Sequence, residues 1–280
     1  MDFRLLGPLE VATDDRTIPI GSGRLKCLLA VLVVNANTFV GFDELVEAIW
    51  GTTVPVNPRP AVHTCVARLR SALAGEVRIE AGSGGYRIVV GESRVDVKRF
   101  EALILRARTA GWREAEMLTE ALGLWRGEAL ADVPSDYLRQ LADLWWDRRL
   151  QVLERKLELD LRAGLHDSAL PDLQKLAVQY PLRERFWALL ITALSRCGRQ
   201  ADALHAYSTV RQRLVDELGV DPGPGLRQAH QAVLTGQANR LVSGYAGSNP
   251  YNHSRGLISV GFATPEAFAG SSPGPQCLSS

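Results

Sequence analysis

The chain holds four cysteines and two methionines in 280 residues, which leaves little material for thiol or thioether chemistry. Cys27, Cys65, Cys197 and Cys277 stand far apart with no C-x-x-C pair, a pattern that favours buried reduced thiols over a disulfide framework or a zinc site. No run of about 18 apolar residues occurs. The opening Met-Asp-Phe-Arg lacks the basic-then-apolar order of a secretory signal, so the expected compartment is the cytoplasm, with no membrane partner. Catalytic motifs are missing as well. His63, His166, His205, His230 and His253 form no H-E-x-x-H spacing, and no G-x-S-x-G elbow exists. Gly21-Ser22-Gly23-Arg24-Leu25-Lys26 lacks the G-x-x-x-x-G-K-[ST] spacing of a phosphate loop and marks a helix start instead. No enzyme activity, cofactor or metal is therefore expected. The net charge of +1 excludes no partner, because a nucleic-acid binder needs only a local basic face.

A 46% hydrophobic chain of this length can build more than one core. Residues 1 to 20 read as short strands: Phe3 to Val11 alternate around Gly7-Pro8, Asp14-Asp15-Arg16 turns, and Ile18-Pro19-Ile20 follows. Three helices are expected next. In the first, Leu25, Leu28, Leu29, Leu32 and Ala36 share a face between Gly21-Ser22 and Asn35-Ala36-Asn37. The second runs from Glu44 to Trp50, with acids at its start and Gly51 at its end. The third spans 59 to 73 and tolerates Pro60 in its first turn, where no N–H partner is lost. Val77 to Ile79 and Tyr86 to Val90, joined through Gly82-Ser83-Gly84-Gly85, then read as a β-hairpin. Strands, three helices and hairpin in that order suit a winged helix-turn-helix.

From about 97 to 240 the pattern is helical and periodic. Gly164 precedes Ala169-Leu170 at the same offset at which Gly198 precedes Ala203-Leu204, and the two glycines are 34 residues apart. That is the tetratricopeptide period, in which stacked helical hairpins bury a common core. Ala121 to Gly127 suggests a degenerate earlier unit. Beyond 240 the Gly-, Ser- and Pro-rich composition predicts a flexible tail.

On a wheel of about 100° per residue, the third helix places Val62, Cys65, Val66, Leu69 and Leu73 toward a core. The opposite side carries His63, Thr64, Ala67 and Ser71, flanked by Arg68 and Arg70, with Arg59 near the start. No acid occurs from 52 to 75. Short side chains allow close approach to base edges, while arginines suit phosphates or guanine. A solvated helix face would look similar. The preceding helix and the hairpin, with Arg78 and Arg87 beside its Ser83 tip, favour the reading surface.

Val66 to Leu73 followed by Gly85-Tyr86-Arg87-Ile88 resembles the recognition helix and wing of OmpR-type winged helices. Val95 to Phe100, Leu124 to Gly127, Pro181 to Arg185, Gly198 to Leu204, Tyr207 and Glu217 to Pro224 resemble the bacterial transcriptional activation domain. The two modules together resemble the Streptomyces antibiotic regulatory protein (SARP) family over roughly residues 1 to 238. The resemblance implies a mixed fold: an α+β winged helix-turn-helix at 1–94, an all-α tetratricopeptide-like domain at 95–240, and a tail at 241–280. It further implies a transcriptional activator of a secondary-metabolite gene cluster that binds direct repeats in double-stranded promoter DNA near the −35 region. Side-by-side protomers and recruitment of RNA polymerase through its sigma and alpha subunits are implied too, with Thr52, Thr53, Val54, Val56 and Asn57 in the polymerase-contact loop. Ala67 departs from the polar or basic reader expected there, which shifts base readout toward His63, Thr64 and Arg68. A repressor would share the DNA-binding features, and an interaction adaptor would need only the helical array.

Overall fold

The computed structural model describes residues 1–82 and 84–236. Ser83, residues 237–240 and the expected tail at 241–280 lie outside the described residues. The described chain is mostly helical, with a small antiparallel β region toward its N-terminus.

Strands β1 (Asp2–Arg4), β2 (Glu10–Ala12) and β3 (Thr17–Ile18) form one antiparallel sheet. Phe3 pairs with Val11 and Val11 with Ile18, so the three buried side chains fall in one row of the pleat. Helix α1 (Gly23–Val34) begins at Ser22, whose Oγ accepts from the backbone N–H of Leu25. The sequence predicts one apolar face here, but residues 27–33 are buried without interruption. Leu25 is only half-buried, and Ala36 lies past the end of the helix. The cause is that α1 is surrounded by other elements rather than lying on a surface, which makes a helix apolar all round.

Next come β4 (Val40–Gly41), α2 (Phe42–Trp50), α3 (Pro58–Ala72), β5 (Arg78–Gly82) and β6 (Gly85–Val89). The second sheet has the order β4-β6-β5, and its two-residue strand β4 was not apparent from periodicity. Gly85 is required where β4 meets β6, because a Cβ there would lie 1.8 Å from the carbonyl oxygen of Val40. Gly41 gives α2 no side-chain cap. The N–H of Phe42 instead donates to the carbonyl of Gly84 at 3.0 Å, so the hairpin satisfies a donor that the helix start leaves open.

Seven further α-helices follow among the described residues: α4 (Asp96–Ala107), α5 (Glu114–Gly123), α6 (Asp136–Arg162), α7 (His166–Gln179), α8 (Glu184–Arg196), α9 (Gln200–Leu218) and α10 (Pro224–Leu234). Gly164 and Gly198 occupy equivalent turns with φ of +86° and +77°, a conformation that favours glycine, and each leads into a helix that buries the alanine of the repeat, Ala169 or Ala203. Leu124 to Gly127 lies past the end of α5, in a loop that docks on the connection between β1 and β2. There the N–H of Arg126 donates to Leu6 at 2.7 Å and that of Leu130 to Gly7 at 2.7 Å. Asp132 accepts from the N–H of Leu9 at 2.6 Å and also pairs with Lys26.

One apolar core runs from Phe3 to Val152 and a second from Leu150 to Val233. The first crosses residue 95, where the elements change type. Asp96 fastens that crossing. Its buried carboxylate accepts from the N–H groups of Leu5 and Val97 at 2.8 Å and of Leu6 at 2.9 Å. Trp146 packs against both cores, and the buried Arg149 guanidinium lies 4.7 Å from its ring and 5.2 Å from that of Trp125. No helix among the described residues is long and apolar enough to cross a membrane.

Candidate nucleic-acid interface

Helix α3 carries Pro58 and Pro60 in its first turn, where a missing N–H costs no helical bond. It ends at Leu73, and the positive φ of Ala74 (+50°) and Gly75 (+76°) turns the chain toward β5. Val62, Val66, Leu69 and Leu73 are buried and Cys65 is half-buried, as the wheel predicts. Arg59, His63, Thr64, Ala67, Arg68, Arg70 and Ser71 are all exposed.

An aromatic triangle anchors this face. The rings of Phe42, His63 and Tyr86 meet edge to face with centroids 5.5 to 5.9 Å apart, joining α2, α3 and β6. The Nδ1 atom of His63 lies 2.5 Å from the Tyr86 hydroxyl. Arg59 sits 5.4 Å over the Phe42 ring. Arg70 lies 5.8 Å over Tyr86, and its Nη2 donates to the carbonyl of Ile79 at 2.5 Å, closing α3 onto the hairpin.

Much of the expected reading surface is thus engaged within the protein. Thr64 donates its hydroxyl to the carbonyl of Pro60 at 2.9 Å, which leaves it an acceptor toward any ligand. In the hairpin, Arg87 pairs with Glu80 at 2.7 Å and lies 4.6 Å over Phe39, while Arg78 reaches Glu80 at 3.5 Å. The hydrogen bond from Arg87 holds the Glu80 carboxyl below its ordinary value against a smaller opposing effect of burial. Arg68 makes no hydrogen bond and no ion pair among the described residues, and it is the cation of α3 most available to an outside anion. Ser83 of the expected set lies outside the described residues.

Thr52, Thr53, Val54, Val56 and Asn57 form an exposed loop between α2 and α3, and Val56 is 97% exposed. Sequence reasoning missed Phe39, Phe42 and Glu80, and it places Tyr86 in the wing without its contact with His63. The signal available for Tyr86 was its place in the alternation of β6, which marks an inward residue but not its contact with His63. No group of three or more His, Cys, Asp or Glu that could hold a metal occurs among the described residues. Burial pushes the Cys27 thiol up to about 11.

A family model described as "Bacterial transcriptional activator domain" matches residues 95–234. The regulatory protein AfsR of Streptomyces coelicolor is 40% identical over 83% of this chain, and the match spans 24% of that relative's length. The transcriptional regulator RedD of the same organism is 36% identical over 84% of this chain and 70% of its own. The regulatory protein DnrI of Streptomyces peucetius is 32% identical over 84% of this chain and 92% of its own. Among solved structures, EmbR of Mycobacterium tuberculosis, in complex with a low-affinity phosphopeptide, is similar with a TM-score of 0.78 and 32% identity, covering 87% of this chain and 69% of that one. On these matches the chain belongs to the Streptomyces antibiotic regulatory protein family of transcriptional regulators.

Proposed function

We propose that residues 1–94 form a winged helix-turn-helix that binds double-stranded promoter DNA, and that residues 95–240 form an activation domain that recruits RNA polymerase. In this reading α3 enters the major groove. Arg59 and Arg68 meet phosphates or guanine edges, and the short Thr64, Ala67 and Ser71 let the helix approach the bases. His63 and Arg70, tied to the hairpin, fix the angle of α3 as well as facing DNA. Arg78 and Arg87, beside Ser83, meet the adjacent backbone, while the exposed 52–57 loop faces the sigma subunit. Two protomers sit side by side on direct repeats near the −35 region of a secondary-metabolite gene cluster, in the cytoplasm.

The observation that carries the reading is the exposed, acid-free basic face of α3, anchored to α2 and to the hairpin. A helix already anchored to its neighbours needs no backbone rearrangement to meet a polyanion, and its phosphate contacts release counterions. The test is a gel-shift titration of the chain against DNA upstream of its own gene cluster at two salt concentrations. A sequence-preferring shift that weakens steeply with salt is expected; none at either salt overturns DNA binding. Run-off transcription on the same DNA should rise with added protein, and a fall would assign a repressor instead.

A further inference from the structure

The helical array holds a feature that DNA binding does not use. An open pocket of about 320 Å³ is lined by α6, α8 and α10 and by no residue of α7 or α9. In a stack of helical hairpins, alternate helices share one face, and that face is the concave binding surface of such arrays.

Leu161, Ala188, Leu189, Ala229 and Ala232 supply its apolar lining, Thr192 and Gln228 add polar groups, and Arg162, Arg185 and Arg196 stand against one acid, Glu158. Glu158 is already saturated. It accepts from Arg162 at 2.6 Å, Arg185 at 2.9 Å and Arg155 at 3.2 Å. Burial would raise its carboxyl, but the surrounding arginines outweigh burial and hold it below its ordinary value.

Arg196 has no such partner. Its Nη1 donates to the carbonyl of Leu161 at 2.6 Å, its buried Nε has no hydrogen-bond partner, and no carboxylate lies within ion-pair distance among the described residues. A half-buried guanidinium satisfied by one carbonyl has lost water without gaining a counter-charge, so an anion entering the pocket gains a charge-assisted bond.

We propose that this pocket binds a small organic acid, with its carboxylate on Arg196 and Arg185 and an apolar body of several carbons on Leu161, Ala188 and Leu189. The volume lies within the range of about 300–1,000 Å³ usual for small-molecule sites. A bound acid bridges α6, α8 and α10 and ties successive hairpins together. The assignment uses no residue of α3 or the hairpin, so it and the DNA-binding reading can fail separately.

The test is calorimetric titration of the full chain with octanoate and with octanamide, which has the same carbon body without the charge. Saturable octanoate binding is expected, with the amide weaker by about tenfold or more. Arg196→Gln should weaken octanoate by a similar factor. Gln228→Trp, at an exposed position on the rim, should block the pocket without altering its charge. Circular dichroism checks that each variant folds, and if Arg196→Gln does not, Gln228→Trp decides. No saturable octanoate binding, equal binding of the amide, or full affinity in Gln228→Trp overturns the proposal. So does tighter binding of pentaglutamate at the same site, which would assign a peptide groove.

Discussion

The ring nitrogen Nδ1 of His63 lies 2.5 Å from the hydroxyl of Tyr86, which ties the exposed face of α3 to strand β6. His63 lies toward the solvent side of the wheel, yet its ring is held from below by a residue of the hairpin. The recognition face proposed for DNA is therefore a composite of helix and sheet.

Tyr86→Phe keeps the ring in the aromatic triangle and removes only the hydroxyl. Loss of one such bond is expected to cost about 0.5–1.5 kcal/mol, read as a lower urea midpoint at unchanged slope. DNA affinity should fall a few-fold with it, because α3 is less firmly set against the hairpin. An unchanged midpoint and affinity would show that the contact orients nothing.

Arg68→Ala and Arg70→Ala should separate DNA contact from fold support. Arg68 makes no ion pair or hydrogen bond among the described residues, so its loss should leave the urea midpoint within about 0.5 kcal/mol of the parent. It should also reduce the slope of log affinity against log salt by about one. Arg70→Ala removes the bond to Ile79 and the packing over Tyr86, and should lower stability by about 1–2 kcal/mol. Equal effects of the two on stability would contradict this division.

Asp96→Ala strips the N–H groups of Leu5 and Leu6 of their acceptor in a buried place. Each orphaned donor costs about 1–3 kcal/mol, so a loss of at least about 2 kcal/mol is expected. The first core spans this point, so the fall should appear in one cooperative transition shared by probes in the strands and in α4. Separate transitions for the two probes would contradict a continuous core.

Burial, helped by the nearby Arg196 charge and opposed by Asp167, depresses the pKa of His166 below its ordinary 6.5. The unfolded chain then binds more protons than the folded one as pH falls below 6.5. The stability contribution is present above that pH and is lost as pH falls through the depressed folded value. His166→Gln should flatten this part of the stability-against-pH curve. An identical curve in the variant would rule out His166 as its source.

The apolar stripe of α3, the hairpin pairing and the 34-residue repeat are all legible in the sequence, because each is a local periodicity. The surrounded state of α1 could not. A run of Leu, Val and Ala fits a half-buried helix as well as a fully buried one, and only its neighbours decide. Ala121 to Gly127 reads in sequence as a degenerate repeat unit, yet past the end of α5 the N–H of Arg126 donates to Leu6, near the N-terminus.

Sequence alone determined the order of the first three helices and the hairpin, the side of α3 that faces a core and the absence of acids from 52 to 75, since side-chain direction along a helix follows from its pitch. Tertiary structure alone decided which exposed groups are already engaged. His63 meets Tyr86 across 23 residues of chain, Asp96 meets Leu5 across 91, and Arg196 meets the Leu161 carbonyl across 35. A wheel gives direction but no partner, because hydrogen bonds and ion pairs depend on distance in space, which the packing of one element on another sets.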